Sequence, residues 1–291
     1  MRRSIFALTV LCALLLPVSA QDPKPTETPA KETPAKAVKP APAKENPAPA
    51  KDNKNNKSNS DVKFTGEQIV ESVILMYGTR PALDHIRRNG IERGKITRYN
   101  PDGNTEQADY ERRFVRGANL DKDKVRLDQK LSTMEYSLIF GEGKLIGLIN
   151  GAAFTPRQDA MTSFISQHHH SIDSLLRYKE CGSTLTVIGK EQQKGLDLFV
   201  VDLTDKEQRK TRYYISARSL RILWLEYEEG TPGGPAVKYT KKFLDYRPVQ
   251  QTLVPYRTLL YENGREAQEV RVSNITYGIK VNDAIFKSPE A

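Results

Sequence analysis

Residues 124–150, KVRLDQKLSTMEYSLIFGEGKLIGLIN, decide the fold. Apolar residues recur at period two through 124–130 and fill most of 134–140 and 144–150, the pattern of strands with one or both faces buried. Gly141-Glu142-Gly143 supplies hairpin chemistry between the last two. Connections this short join only antiparallel neighbours, because a parallel crossover needs a dozen or more residues.

The same grammar extends in both directions. On the N-terminal side lie candidate strands 91–99 and 107–116, with Pro101-Asp102-Gly103-Asn104 as their turn. On the C-terminal side come 185–190, 196–203, 211–217, 220–227, 237–246, 256–261 and 268–277, punctuated by turns such as Lys194-Gly195, Asp205-Lys206 and Asn263-Gly264. About eleven or twelve antiparallel strands in meander order are expected, and a twisted sheet of that size curls. The run Arg221-Ile222-Leu223-Trp224-Leu225 is apolar on both faces, so part of the sheet is expected to be covered twice.

Two helical segments break the pattern. Thr65 and Gln68 have capping-box spacing ahead of the stripe Ile69, Val70, Val73, Ile74 and Met76, and a short turn follows over 81–88. The second segment, 156–178, starts at Pro156 and repeats Ala160, Met161, Phe164, Ile165, His168, Ile172, Leu175 and Leu176 at helical spacing. The expected class is mainly β (α+β): a curved antiparallel sheet forming a barrel or half-barrel, with the N-terminal and internal helices as lid. Whether its concave face is filled or hollow stays open at this level.

Outside residues 61–291 the composition changes. Arg2 and Arg3 precede an apolar run, 5–16, too short to span a bilayer, and Pro17-Val18-Ser19-Ala20 ends it with small residues where signal peptidase cuts. Residues 1–20 are therefore expected to be a cleavable secretory signal, with a destination outside the cytoplasm and no integral membrane span after cleavage. Residues 21–60 are Pro, Ala, Lys, Glu, Thr and Asn, a disordered proline-rich spacer reaching on the order of 120 Å if extended. Of the net charge of +9, signal and spacer carry five, and the remainder is scattered among acids, which argues against nucleic acid as a partner. Cys12 leaves with the signal, and the lone Cys181 then has no partner for an intramolecular disulfide.

Catalytic signatures are missing from the sequence. No nucleophile elbow, phosphate-cradling glycine loop or dinucleotide fingerprint is present. His168, His169 and His170 are adjacent, so on a helix they point apart and cannot chelate one ion together; they are expected at the surface or facing the lid. His85 has no visible partner. Glu228-Glu229 runs into Gly230-Thr231-Pro232-Gly233-Gly234, a solvated loop, and Cys181 fits a half-buried small apolar residue. A non-enzymatic protein without metal or cofactor is expected.

The words Arg212-Tyr213-Tyr214-Ile215-Ser216-Ala217-Arg218, Leu225-Glu226-Tyr227, Asp245-Tyr246-Arg247-Pro248-Val249, Val254-Pro255-Tyr256-Arg257 and Asp283-Ala284-Ile285-Phe286 resemble periplasmic outer-membrane lipoprotein-sorting proteins of the LolA-like class. The resemblance implies an unclosed antiparallel barrel whose concave apolar face receives acyl chains of lipoproteins or lipids beneath a helical lid. A carrier of that type would use Phe164, Ile165, Ile172 and Leu176 from the lid, and Phe140, Ile146, Leu223 and Trp224 from the sheet. Arg93, Arg98, Arg112 and Arg113 compete for the arginine that such carriers use in an early strand. The compact carriers lack the spacer. The alternative is a non-enzymatic regulatory or scaffold module on the same fold that senses or binds a periplasmic or envelope partner, envelope membrane proteins among them.

Overall fold

The computed structural model describes residues 64–230 and 235–287. The expected signal and spacer lie outside them.

Thr65 starts α1 (Gly66–Tyr77) as foreseen: its hydroxyl accepts from the Gln68 amide at 3.2 Å, and its own amide donates to Gln68 Oε1 at 2.9 Å. Ile69, Val70, Val73, Ile74 and Tyr77 form the buried stripe, while Met76 points outward. Gly78 closes the helix at φ +133, a conformation that a side chain disfavours. A short α2 (Arg80–Ile86) follows.

All twelve candidate strands are present, shifted by a few residues at their ends. They are β1 (Asn89–Tyr99), β2 (Thr105–Val115), β3 (Lys124–Lys130), β4 (Glu135–Gly141), β5 (Lys144–Ile149), β7 (Thr184–Gln193), β8 (Leu196–Thr204), β9 (Lys210–Ser216), β10 (Ile222–Glu229), β11 (Val237–Val249), β12 (Thr252–Glu262) and β13 (Arg265–Tyr277). A thirteenth, β6 (Ala152–Phe154), is too short to show alternation.

They make one antiparallel sheet in the order β6-β5-β4-β3-β2-β1-β13-β12-β11-β10-β9-β8-β7. The expected uninterrupted meander needs one correction. The first and last strands are neighbours, so two meanders meet along a β1–β13 seam and the open edges are β6 and β7. The sheet is an unclosed half-barrel. Gly94 lies at a bulge in the seam, where the Arg271 carbonyl oxygen stands 2.0 Å from the place a Cβ would take.

The single helix expected over 156–178 is two: α3 (Gln158–His169) and α4 (Ile172–Leu176). Ser171 causes the break. Its hydroxyl accepts from the Ser174 amide at 3.3 Å and caps a new helix, and that local bond competes with continuing the old one.

The break sends the two helices to different apolar patches on one face of the sheet. Ile172, Leu175 and Leu176 of α4 join α1 over Val201, Tyr213, Ile215, Ile222 and Leu225. Met161, Phe164 and Ile165 of α3 lie on Phe114, Val125, Leu138, Phe140 and Leu145. A third cluster, Leu198, Val200, Tyr214, Leu223 and Trp224, lies on the opposite face, where Leu223 and Trp224 of the 221–225 run are only partly buried.

Candidate functional site

Between the two helix-covered patches is a cavity of about 230 Å³, floored by the central strands and roofed where α3 gives way to α4. Phe114, Leu260, Val270, Val272 and Ile275 supply apolar floor; Gln167, Ser171, Ile172 and Asp173 supply the roof. Its walls are not purely apolar. Arg87, Arg112 and Lys241 face Glu92 and Asp173 across it.

Lys241 explains how the roof is held. Interrupting the helix frees the carbonyls of Gln167 and His170, because the Ser171 amide donates to Ser174 Oγ and the Ser174 amide to Ser171 Oγ. From β11, Lys241 Nζ donates to both freed carbonyls, at 3.2 Å to Gln167 and 3.1 Å to His170. A cation is the right donor at a helix C-terminus. Burial, with Arg112 adding to it, lowers the Lys241 pKa to about 8.

Asp173 is the other polar centre. Arg116 Nη2 approaches it at 2.6 Å and Arg87 Nη2 at 3.4 Å, so one carboxylate serves two guanidinium groups and is held well below the usual carboxylate range despite its burial. Arg177, 2% exposed, donates through Nη1 to both oxygens of Asp123 (3.0 and 2.9 Å) and through Nη2 to the Gly117 carbonyl (2.8 Å).

His169 and His170 are buried and His168 is half-buried, which corrects the surface placement. His170 stacks on Tyr227 at 3.9 Å between centroids and its Nδ1 lies 2.6 Å from Thr211 Oγ1. His168 Nε2 donates to the Leu120 carbonyl at 3.0 Å, and its ring lies 5.2 Å from that of Phe140. His169 Nε2 is 3.2 Å from Asp121 Oδ1. Among the described residues, no group of three or more His, Cys, Asp or Glu is placed to hold a metal.

Of the eight residues named for acyl binding, Ile172 alone lines this cavity. Phe140 meets Phe164 at 6.1 Å between centroids, with Ile165 beside them, in the filled patch under α3. Leu176 is core beneath α4. Ile146 pairs with Ile139, whose neighbours Leu138 and Phe140 face the helices, so Ile146 is on the other side of the sheet. Leu223 and Trp224 are also on that side, with Trp224 stacked on Tyr214 at 4.6 Å. Their parity was misjudged because β10 slips between Ile222 and Trp224.

The four competing arginines separate cleanly. Arg93 pairs with Glu111, Arg98 with Glu106 and Arg113 with Glu111 and Asp128, while Arg112 faces the cavity with its guanidinium 4.7 Å above the Phe114 ring. Sequence reasoning missed Arg87, Lys241 and Tyr277. Only Lys241 left a trace, as a lone cation two residues before the apolar Phe243 on one strand face.

The sequence matches no family model and no curated protein. Solved structures share its architecture. A DUF1329 family protein from Desulfovibrio piger superposes with a TM-score of 0.54 at 11% identity, over 77% of this chain and 98% of that one. A LolA superfamily protein from Nitrosomonas europaea gives 0.54 at 13% identity, with coverages of 77% and 98%. A putative outer membrane lipoprotein-sorting protein domain from Vibrio parahaemolyticus gives 0.51 at 13%, covering 75% and 97%. No helix among the described residues is long and apolar enough to cross a membrane.

Proposed function

We propose that this chain, which has the LolA-like half-barrel fold, is a periplasmic, non-enzymatic protein that shelters acyl chains of a lipid or lipoprotein beneath the α3–α4 roof. The observation that carries the reading is the cavity between two apolar patches, beneath a roof fastened through polar contacts. Each methylene moved from water into such a space contributes roughly 0.8 kcal/mol. At about 230 Å³ the cavity, which is partly open to solvent, falls below the roughly 300–1,000 Å³ of most ligand sites, so seating a whole acyl chain requires α3 to lift. Its apolar side chains, Met161, Phe164 and Ile165, are only partly buried, which keeps that motion inexpensive.

One observation favours the scaffold reading, with an envelope membrane protein as partner. The patch beneath α1 and α4 is a filled core, with Val70, Val73, Leu175 and Leu225 all at 0% exposure. Native mass spectrometry of the protein purified from periplasm separates the two. Bound lipid or lipopeptide that is lost in Phe164→Asp, with the circular dichroism spectrum unchanged, supports the carrier. A wild-type protein that emerges empty and takes up no acyl probe leaves the scaffold.

A further inference from the structure

We propose that Arg87 and Tyr277 form a binding site for the oxyanion head, carboxylate or phosphate, of an amphiphile whose tail lies in the cavity. The inference rests on the carrier reading and adds the chemical class of the cargo.

Both residues line the cavity, and both keep hydrogen-bonding capacity unused. Arg87 has a side chain 11% exposed, and its Nε and Nη1 are buried without a partner. Tyr277 is 3% exposed and its hydroxyl is likewise buried and unpartnered. The two are adjacent, with the Arg87 guanidinium 5.5 Å from the centre of the Tyr277 ring. Buried polar groups are nearly always satisfied, and donor atoms of a buried guanidinium are costly to leave open even where, as here, its third nitrogen contacts a carboxylate. Three buried donor atoms on these two neighbouring residues are therefore left for an acceptor to meet.

The local charge favours an anion. Arg87's carboxylate contact, Asp173, is taken more closely by Arg116, and Glu92 accepts from the Tyr110 hydroxyl at 2.8 Å. Arg112 faces the same space with no carboxylate within 4.0 Å of it among the described residues, and rests on an aromatic ring instead. An incoming carboxylate or phosphate would take single charge-assisted hydrogen bonds from Arg87 Nη1 and from the Tyr277 hydroxyl, because either two-point fork of the guanidinium needs Nη2, which already contacts Asp173. Val272 and Ile275 continue the wall in apolar side chains, so head and tail find complementary surfaces in sequence.

The test compares matched probes on the mature protein by isothermal titration calorimetry and native mass spectrometry: palmitate against methyl palmitate, and dioctanoyl phosphatidylglycerol against dioctanoylglycerol. Charge-assisted hydrogen bonds set the scale, so the anionic member of the preferred pair should bind about tenfold more tightly or better. Arg87→Gln should erase that ratio and Tyr277→Phe reduce it several-fold. The pair with the larger ratio identifies carboxylate or phosphate as the head. Equal binding of anionic and neutral probes, or a ratio that survives both substitutions, overturns the head-group site and leaves the carrier intact. Failure of all four probes to bind overturns both.

Discussion

Lys241 on β11 donates to the carbonyl oxygen of His170 at 3.1 Å, and so replaces from across the cavity a helix bond that the chain itself gives up. Removing the side chain has two opposed effects. Lys241→Met leaves the His170 and Gln167 carbonyls without their donor, at about 1–3 kcal/mol, yet relieves a buried ammonium of comparable cost. Global stability in urea should therefore move by no more than about 1 kcal/mol. The local effect has no such offset: amide exchange in α3 should quicken by about tenfold or more while α1 is unchanged. Equal exchange in both proteins would show that Lys241 does not hold the roof.

Acid should loosen the same region before it reaches the carboxylates. Burial lowers the His168 pKa to about 4 and the His170 pKa to about 3, where Lys241 and Arg209 add their repulsion. Both histidines stand near 6.5 in the unfolded chain. Below that value the unfolded state takes up protons that the folded state refuses, so their contribution is complete above pH 6.5 and drains away as pH falls toward 4. His168 alone accounts for about 3 kcal/mol over its window. Glu71, held down to about 2 chiefly by Arg80, acts only below its unfolded value of 4.5. Urea unfolding at pH 7.5, 5.5 and 4.5 should show a steady loss across that range, and His168→Gln should remove about half of it, leaving the His170 share.

Arg177 and Asp123 tie the segment before β3 to the end of α4, both almost fully buried. Arg177→Met should destabilise by about 3–5 kcal/mol, because it strands the Asp123 carboxylate in a site where burial already pushes its pKa up. Asp123→Asn with Arg177→Met should cost less than the two single substitutions added together, by about 1 kcal/mol or more. Strict additivity in denaturant titrations would mean that the ion pair is not a unit.

Gly94 tests the seam between the two meanders. Gly94→Ala places a methyl 2.0 Å from the Arg271 carbonyl oxygen, backbone that cannot turn aside. The seam must open or the strand must slip. We expect a loss above about 3 kcal/mol or failure to accumulate as folded protein, whereas Gly141→Ala, with nothing within 4 Å of its Cβ, should cost under about 1 kcal/mol.

Local chemistry was legible in the sequence and long-range pairing was not. Thr65 and Gln68 announce α1 because a capping box lies within a single turn, and Gly141-Glu142-Gly143 announces a hairpin for the same reason. The β1–β13 seam joins Gly90 to Tyr277, and nothing in either strand's own pattern encodes that choice. The Ser171 break was written in Ser171 and Ser174 but hidden by an apolar spacing that runs unbroken across it. The site suffered most. Ile146 and Trp224 sit in runs apolar at both parities, so facing could not be read, and Arg87 and Tyr277 meet only after folding.

Trp224 offers the sharpest contrast between the two levels of reading. A sheet residue in a stretch of large apolar side chains invites a cavity role, yet its ring stacks on Tyr214 at 4.6 Å on the face away from the helices. Trp224→Asp should therefore cost stability, about 1–3 kcal/mol through the lost stacking and burial, without altering acyl retention. Phe164→Asp should do the reverse in emphasis. It unseats α3 from Phe140, whose ring centroid lies 6.1 Å away, and empties the cavity of cargo at modest cost to global stability. Paired native mass spectra and melting curves of the two variants decide this. Cargo lost in Trp224→Asp and retained in Phe164→Asp would place the binding surface on the opposite face of the sheet.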